Sequence, residues 1–271
     1  MTAAPAPSGP QSVDRALEIL DAVAGAAHPL TAKALARHLG CALSTVYHLL
    51  GPLTARGHLA RTADGYTLGP RVPALHQAFR RQLRIGPGIG ELLLRVRRAT
   101  GAEAYFTTYR DGVITVVDST APPHTAEPWT PGLELRAHAT AHGKALLAAL
   151  PRAARRRYLD AHGMARLTER TITDAERFEA ELDRVRADGV AVSVGEADPA
   201  YTCLAATLAG GGEDGAGGAA RAVSAQAVSA RAVSAQAVSV RAVSVSVPTA
   251  EFRRRHGELR AALARAADGR L

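Results

Sequence analysis

The spacing of apolar and polar positions over residues 12–68 predicts three short helices followed by a hairpin. The first helix begins at Ser12, which is a suitable N-cap because its hydroxyl can accept a hydrogen bond from a free backbone N–H. Apolar positions then recur at helical spacing and are expected to face a core. These positions are Val13, Ala16, Leu17, Leu20 and Val23.

Two further helices follow with a short connection between them. One begins at the capping residue Thr31 and is stopped by Gly40, and the next begins near Ser44. Apolar residues of this third helix are expected to point inward: Val46, Leu49, Leu50 and Leu53. Because proline inside a helix costs about 3 kcal/mol, Pro52 predicts a kink or an early end near residues 50–51. A pair of helices joined in this way is typical of a helix-turn-helix.

The hairpin after the third helix completes a winged helix-turn-helix pattern. Asp64-Gly65 is a strong signal for a tight turn, whose two central positions favour positive φ. Leu59, Tyr66 and Leu68 are expected to face the core while Arg61 points outward. This order of elements is used to bind duplex DNA, with the second helix of the pair in the major groove.

The candidate DNA contacts lie at the start of the second helix, on the third helix and its end, and on the wing. They are Thr31, Ser44, Thr45, Tyr47, His48, Arg56 and Arg61. Four of them have a simpler interpretation: Ser44 as a helix cap, Tyr47 as half-buried packing, and the two arginines as ordinary solvated charges. The position of the arginines at a helix end and on the wing favours phosphate contact.

The remainder of the chain predicts an α+β domain behind a linker helix. We expect a disordered tail over 1–11, the winged helix-turn-helix over 12–69, a linker helix over 70–85, and a second domain over 86–271. Strand patterns occur at 103–109, 113–118, 167–171, 189–193, 203–208 and 243–247. Helical patterns occur after residue 138, at 174–188 with Thr173 as the cap, and at 250–267.

Charge and cysteine content support an intracellular DNA-binding protein. The 271-residue chain has a net charge of +8, and residues 1–85 hold nine Lys and Arg against four Asp and Glu, an excess of five. Such an excess matches an electrostatic footprint for phosphate, although the high arginine content also fits a GC-rich genome. Two isolated cysteines predict no disulfide scaffold, and neither a signal peptide nor a membrane span is evident. We expect a cytoplasmic, nucleoid-associated protein.

Six segments, in order, resemble the IclR family of bacterial transcription regulators. They are 12–20 (SVDRALEIL), 44–50 (STVYHLL), 138–147 (HATAHGKALL), 189–193 (GVAVS), 203–206 (CLAA) and 243–248 (VSVSVP). The resemblance implies a winged-helix DNA reader, a linker helix and a GAF-like effector domain with an antiparallel sheet. It also implies a homodimer or dimer of dimers that binds a pseudo-palindromic operator in double-stranded DNA and represses or activates genes.

The resemblance further implies a pocket for a small carboxylic or aromatic acid. Its positions here are Ala141, His142, Gly143, Ser193, Cys203, Ser244 and Ser246. This sequence departs from the family at His142, which is often aliphatic, and at Ser193, where some members have an acid. The alternatives are that Cys203 is only a small core residue or a catalytic nucleophile, or that His138 and His142 bind a metal. A nucleophile needs a positioned base and a metal needs a third ligand, and neither is evident, so we expect no enzyme, metal or cofactor. Another possibility is that the second domain serves only dimerisation or partner binding.

A five-residue repeat interrupts the second domain. Residues 221–245 hold five copies of Arg/Gln-Ala-Val-Ser-Ala/Val after a glycine-rich stretch, which places a low-complexity insertion at about 210–240. An odd period presents opposite faces in successive strand copies, and in a helix it turns through about 500° per copy. We therefore interpret the repeat as slippage in the gene, with a partner-binding arm as the alternative. The fifth copy is expected to pair with the strand at 203–208, while the other four are looped out and exposed.

Overall fold

The computed structural model describes residues 10–121, 133–208 and 239–271. Over these residues the chain forms two compact units, an amino-terminal one that ends at Gly86 and a carboxy-terminal one that begins at Pro87. No helix within the described residues is long and apolar enough to cross a membrane.

The amino-terminal unit contains four helices and a two-stranded hairpin. The elements are α1 (Gln11–Ala24), α2 (Ala32–Leu39), α3 (Leu43–Ala55), β1 (Leu59–Arg61), β2 (Tyr66–Leu68) and α4 (Arg71–Gln82). Thr31 caps α2 by accepting from the Ala34 N–H at 3.2 Å, and Gly40 ends it in the left-handed conformation, as predicted. The core of this unit comprises Ile19, Val23, Ala32, Leu35, Val46, Leu50, Leu59 and Tyr66.

The first helix buries only part of the predicted stripe. Val23 is buried as predicted and Leu20 packs against the core, whereas Val13 and Leu17 are 51% and 54% exposed. Ile19, which was not among the predicted positions, is fully buried. The apolar residues of α1 occupy two adjacent stripes, and helical periodicity does not decide which of them faces the core. Ser12 also lies within the helix rather than at its cap, because α1 begins at Gln11 after Pro10. Gln11 therefore belongs to α1 and not to the expected tail over 1–11, of which residues 1–9 lie outside the described residues.

The third helix is longer than predicted. It begins at Leu43, so the N-cap is Ala42 and not Ser44, and it continues through Pro52 to Ala55. The predicted early end at residues 50–51 is wrong. Pro52 lies in the penultimate turn, where it removes one helical hydrogen bond, while the neighbouring apolar side chains continue to pack against the core.

The hairpin is anchored to the segment that precedes α2. Leu30 and Tyr66 exchange backbone hydrogen bonds of 3.0 and 2.9 Å, so Leu30 adds a bridge beside β2. Gly65 has φ +148°, and a Cβ there would lie 2.6 Å from the Leu30 carbonyl oxygen, so glycine is required. Asp64 does not have a positive φ, so the turn has one residue with positive φ where two were expected. Leu68, expected inside, is exposed.

The carboxy-terminal unit is a five-stranded antiparallel sheet with helices on both faces. Its elements are α5 (Ile89–Thr100), β3 (Glu103–Arg110), β4 (Val113–Ser119), a 3-10 segment (Leu133–Ala139), α6 (Ala141–Ala149), α7 (Arg152–His162), α8 (Ala175–Asp188), β5 (Ala191–Val194), β6 (Tyr201–Thr207), β7 (Ser239–Pro248) and α9 (Thr249–Ala267). The strand order is β4-β3-β7-β6-β5. The α+β architecture agrees with the sequence prediction.

Alternation along the strands divides the core of this unit into two layers. Ala205 and Ala242 face the side covered by α6 and α8, where Phe178 and Leu182 are fully buried. Their neighbours Leu204 and Val243 are buried on the other side, where α5 and α9 pack on the sheet. Strand β7 lies at the centre of the sheet, where it pairs with β3 along one edge and with β6 along the other.

Two local predictions for this unit are wrong, and one helix was not predicted. Residues 167–171 form no strand, because Thr171 satisfies the loop backbone by accepting from the N–H groups of Leu167 and Thr168. Helix α8 is capped by Asp174, which accepts from the Arg177 N–H at 2.9 Å, and not by Thr173. Helix α7 was not predicted, since its run of arginines leaves a short apolar stripe.

The repeat enters the sheet at its fifth copy. Val243 pairs with Ala206 of β6 and with Phe106 of β3, which confirms the predicted pairing of that copy. Strand β7 begins at Ser239, so the prediction that the other four copies are looped out is wrong for the last two residues of the fourth copy. The expected insertion over 210–240 is shortened accordingly. The remaining copies lie outside the described residues.

Candidate functional sites

The exposed face of α3 carries the polar residues that the sequence suggested for base contact. Ser44, Tyr47 and His48 lie on this face and are exposed, with Tyr47 at 53%, while Thr45 is half-buried. The opposite face is fixed by the buried Val46. An aromatic side chain, an imidazole and a hydroxyl at the start of one exposed helix face can reach base edges in a major groove.

The flanks of this helix add positive charge and a cap. Arg56 ends α3 and is exposed, and Arg61 is exposed on the outward side of β1, beside the hairpin turn. Thr31 is exposed at the start of α2, where its oxygen already accepts from Ala34. The arrangement offers two cations and a helix amino end to a phosphate backbone.

A cavity of about 60 Å³ lies in the carboxy-terminal unit between the sheet, the start of α6 and the β5–β6 loop. Of the seven residues suggested for the pocket, His142, Ser193, Cys203, Ser244 and Ser246 line this cavity. The sequence reasoning missed the other lining residues, which are Tyr105, Val116, Thr140, Ala197, Asp198, Tyr201 and Val245.

Pairing of three strands places the cavity's small polar side chains side by side. Cys203 of β6 is opposite Ser193 of β5 and Ser246 of β7, so the three share one face of the sheet. The Cys203 Sγ and the Ser246 Oγ are 3.4 Å apart, and the Ser193 hydroxyl donates to the Ala139 carbonyl at 2.6 Å. Ser193 can therefore only accept a hydrogen bond from a ligand.

The amino end of α6 opens onto the same cavity. Thr140 caps the helix, with its Oγ1 accepting from the Gly143 N–H at 3.2 Å and lying 3.3 Å from the His142 Nε2. Burial lowers the pKa of His142 to about 4, so its imidazole is neutral at physiological pH and acts as a hydrogen-bonding group without charge.

Two predicted pocket residues, Ala141 and Gly143, do not line the cavity, and their environment explains their identity. Ala141 belongs to the core cluster under the sheet. A Cβ on Gly143 would lie 2.2 Å from the Ala137 carbonyl oxygen, so glycine permits the close approach of α6 to the preceding 3-10 segment. Both residues therefore shape the cavity by packing.

A buried ionic cluster fixes α6 next to the cavity. The Lys144 side chain is fully buried, and its Nζ donates to Glu196 at 2.5 Å, to Glu181 at 3.2 Å and to the Val192 carbonyl at 3.2 Å. Burial raises the pKa of Glu196 while the lysine charge opposes that effect. From the sequence, Lys144 was included only as part of the segment 138–147 and was assigned no role. The signal that could have identified it is a single lysine within a run of Ala and Leu.

The position of His138 bears on the alternative that His138 and His142 bind a metal. This residue lies in the 3-10 segment before α6, so it does not share a helix with His142, and its Nε2 donates to the Ala165 carbonyl at 2.8 Å. The described residues contain no group of three or more side chains that could hold a metal ion.

Comparison with known protein families matches both units. The IclR helix-turn-helix domain family matches residues 12–63, and the family described as bacterial transcriptional regulator IclR C-terminal matches residues 82–215. The HTH-type transcriptional regulator BhcR of Paracoccus denitrificans is 31% identical over 205 residues, which cover 74% of this chain and 72% of that protein. The glycerol operon regulatory protein of Streptomyces griseus is 31% identical over 73% of this chain and 78% of its own length.

Solved structures share the fold along almost the whole chain. The Thermotoga maritima IclR matches with a TM-score of 0.66 and 20% identity, over 95% of this chain and 96% of that one. An IclR homolog from Microbacterium hydrocarbonoxydans matches with a TM-score of 0.60 and 18% identity, over 96% and 98% of the two chains. Taken with the two matched domains and the order of the elements, these likenesses show that the chain belongs to the IclR family of DNA-binding bacterial transcriptional regulators.

Proposed function

We propose that this regulator acts in the cytoplasm as a homodimer whose operator binding responds to a small organic acid in the cavity of the carboxy-terminal unit. The observation that carries the proposal is the cavity itself, which is lined by hydroxyl groups and a neutral imidazole and has the amino end of α6 at its wall. Free N–H groups at a helix amino end favour an anion.

The DNA-binding half of the proposal rests on α3 and the wing. Tyr47 and His48 are exposed on the helix that a winged helix-turn-helix places in the major groove. Ser44 and Thr45 are proposed to join them at base edges, and Thr31, Arg56 and Arg61 to contact phosphates.

Dimerisation is supported by apolar surface that this chain alone leaves uncovered in its amino-terminal unit. Val13 and Leu17 lie one turn apart on α1 and are more than half exposed. Leu75 of α4 is 46% exposed, and α4 has no buried residue at all. Exposed apolar stripes of this kind are typical of protein interfaces, and a second copy of the chain would cover them.

The effector half of the proposal rests on the cavity residues that the sequence suggested. His142, Ser193, Cys203, Ser244 and Ser246 are proposed to hold the ligand, while Ala141 and Gly143 position α6. The Microbacterium homolog, which shares the fold, was crystallised as a complex with 4-hydroxybenzoate, so hydroxylated aromatic acids belong in the first screen.

Binding of the full-length protein to DNA fragments from its own and neighbouring upstream regions tests the first half. A pseudo-palindromic site is expected, since a two-fold dimer needs two half-sites, and affinity should fall steeply with salt. Arg61→Ala should weaken binding to all sequences and lower the salt slope by about 1, whereas Tyr47→Ala should relax base preference. Arg157→Ala, an exposed arginine on α7, is the control. Equal affinity for every duplex at every salt concentration would contradict the proposal.

A thermal-shift screen of carboxylic and phenolic acids tests the second half. A ligand that binds the folded state raises the melting temperature, and Ser246→Ala and Cys203→Leu should reduce this rise without unfolding the protein. If no acid changes the melting temperature, that result supports the alternative, in which the carboxy-terminal unit serves only dimerisation or partner binding.

A further inference from the structure

The charge of the cavity limits which acids it can hold. Among the described residues that line it, Asp198 is the one acidic residue, no lysine or arginine is present, and His142 is uncharged. The buried Lys144, two residues after His142 in α6, is absent from the lining and is matched by two carboxylates, those of Glu181 and Glu196. A dianion in this cavity would find no cation among the described lining residues to offset its second charge.

One side of the cavity is nevertheless suited to a single anion. The backbone N–H group of His142, in the first turn of α6, has no acceptor among the described residues. Ser244 lines the same cavity, is 97% buried, and its hydroxyl has no hydrogen-bond partner within the part of the chain that the structure describes. A free N–H group at a helix amino end and a buried, unpartnered hydroxyl can together hold one carboxylate.

A different wall of the cavity offers an acceptor. Asp198 lies in the β5–β6 loop, where its Oδ1 accepts from the Ala200 N–H at 2.8 Å. This turn fixes the side chain while leaving carboxylate lone pairs for a ligand donor, since an ionised carboxylate can accept several hydrogen bonds. A hydroxyl group on the ligand would satisfy it, whereas a second ligand carboxylate would be repelled.

We propose that the cavity selects acids with one carboxylate and one hydroxyl group, with the carboxylate at the amino end of α6 and the hydroxyl donated to Asp198. This inference rests on the proposed effector function and makes Asp198 the residue that excludes diacids. Two like charges a few ångströms apart in a partly buried site reduce affinity by about tenfold or more.

Calorimetric titration of the full-length protein with matched acids tests the selection. Each set holds a plain acid, its hydroxy acid and its diacid: propionate, 3-hydroxypropionate and malonate, or benzoate, 4-hydroxybenzoate and terephthalate. In the better-fitting set the hydroxy acid should bind about tenfold or more tightly than the diacid. Asp198→Asn retains an oxygen for the Ala200 N–H but removes the charge, so it should reduce that ratio about tenfold. Asp160→Asn, on the exposed side of α7, is the control and should leave the ratio unchanged.

The outcomes separate the two proposals. If wild-type protein binds a diacid as tightly as its hydroxy acid, or if Asp198→Asn leaves the ratio as it was, charge selection is wrong while the acid-sensing function stands. If none of the six acids binds, both the selection and the acid-sensing function are overturned. The comparison of hydroxy acid with diacid uses wild-type protein alone, so it still tests the proposal if the Asp198→Asn variant folds poorly.

Discussion

Replacing Lys144 by methionine should destabilise the carboxy-terminal unit strongly at neutral pH. Methionine retains most of the apolar stem but leaves Glu196 and Glu181 without their shared cation. The Glu196 Oε2 is already buried without a partner among the described residues, so water cannot readily replace the lysine. Removing one member of a buried ion pair typically costs about 3–5 kcal/mol.

The loss should depend on pH in a defined direction. Burial holds the pKa of Glu196 above its ordinary value, and removing Lys144 removes a charge that lowers it, so the pKa should rise further. When folding raises the pKa of a carboxyl, protonation of that carboxyl stabilises the folded state. This stabilisation is fully present below the unfolded pKa and is lost as the pH rises through the folded pKa. The difference between Lys144→Met and wild type should therefore shrink as the pH falls from neutral toward about 5.

Scanning calorimetry of the full-length protein measures this prediction. A loss of about 3–5 kcal/mol corresponds to a fall of roughly 10 °C in the melting temperature of a unit of this size. Lys33→Met removes the chain's other lysine, which is exposed on α2, and should change stability by about 0.5 kcal/mol or less. A Lys144→Met protein that melts within about 1 kcal/mol of wild type, or whose deficit is the same at both pH values, would refute the buried ionic cluster.

Two further predictions follow from the backbone. Gly143→Ala should lower the melting temperature of the carboxy-terminal unit, because the added Cβ would overlap the Ala137 carbonyl, whereas the control Gly90→Ala in α5 meets no atom within 4 Å and should be neutral or stabilising. An equal effect of the two changes would contradict the close approach of α6. Deletion of residues 211–235 should leave DNA binding and the melting temperature nearly unchanged, since the pairing of β6 with β7 is complete without them. A loss of folding on deletion would show that the repeat is structural.

The sequence predicted the elements whose signals are local. The Thr31 cap and the Gly40 stop each depend on residues within one turn, and the Asp64-Gly65 hairpin depends on a short turn sequence. Errors arose where a tertiary partner decides. The stripe of α1 that faces the core follows from where α2 and α3 lie, so Val13 and Leu17 could not be distinguished from Ile19 by spacing.

The cavity was predictable only in part for the same reason. Ser193, Cys203 and Ser246 stand in motifs of the family, and strand pairing brings them together. Asp198 lies in an irregular loop after β5, and Tyr201 is the first residue of β6 after that loop. The path of the loop depends on contacts with the loop before α8, including the 2.8 Å hydrogen bond from Thr168 to the Gly195 carbonyl. No spacing rule along the sequence relates these positions to the start of α6.

The burial of Lys144 gives this protein a chemical reporter in its interior. The chain has two lysines, of which Lys33 is exposed and Lys144 is fully enclosed. A reagent that acylates amines should therefore label the native protein at Lys33, and should reach Lys144 only when the carboxy-terminal unit opens. Mass spectrometry of that one site reads the frequency of opening directly. A small molecule that occupies the adjacent cavity should slow the labelling of Lys144 and leave that of Lys33 unchanged.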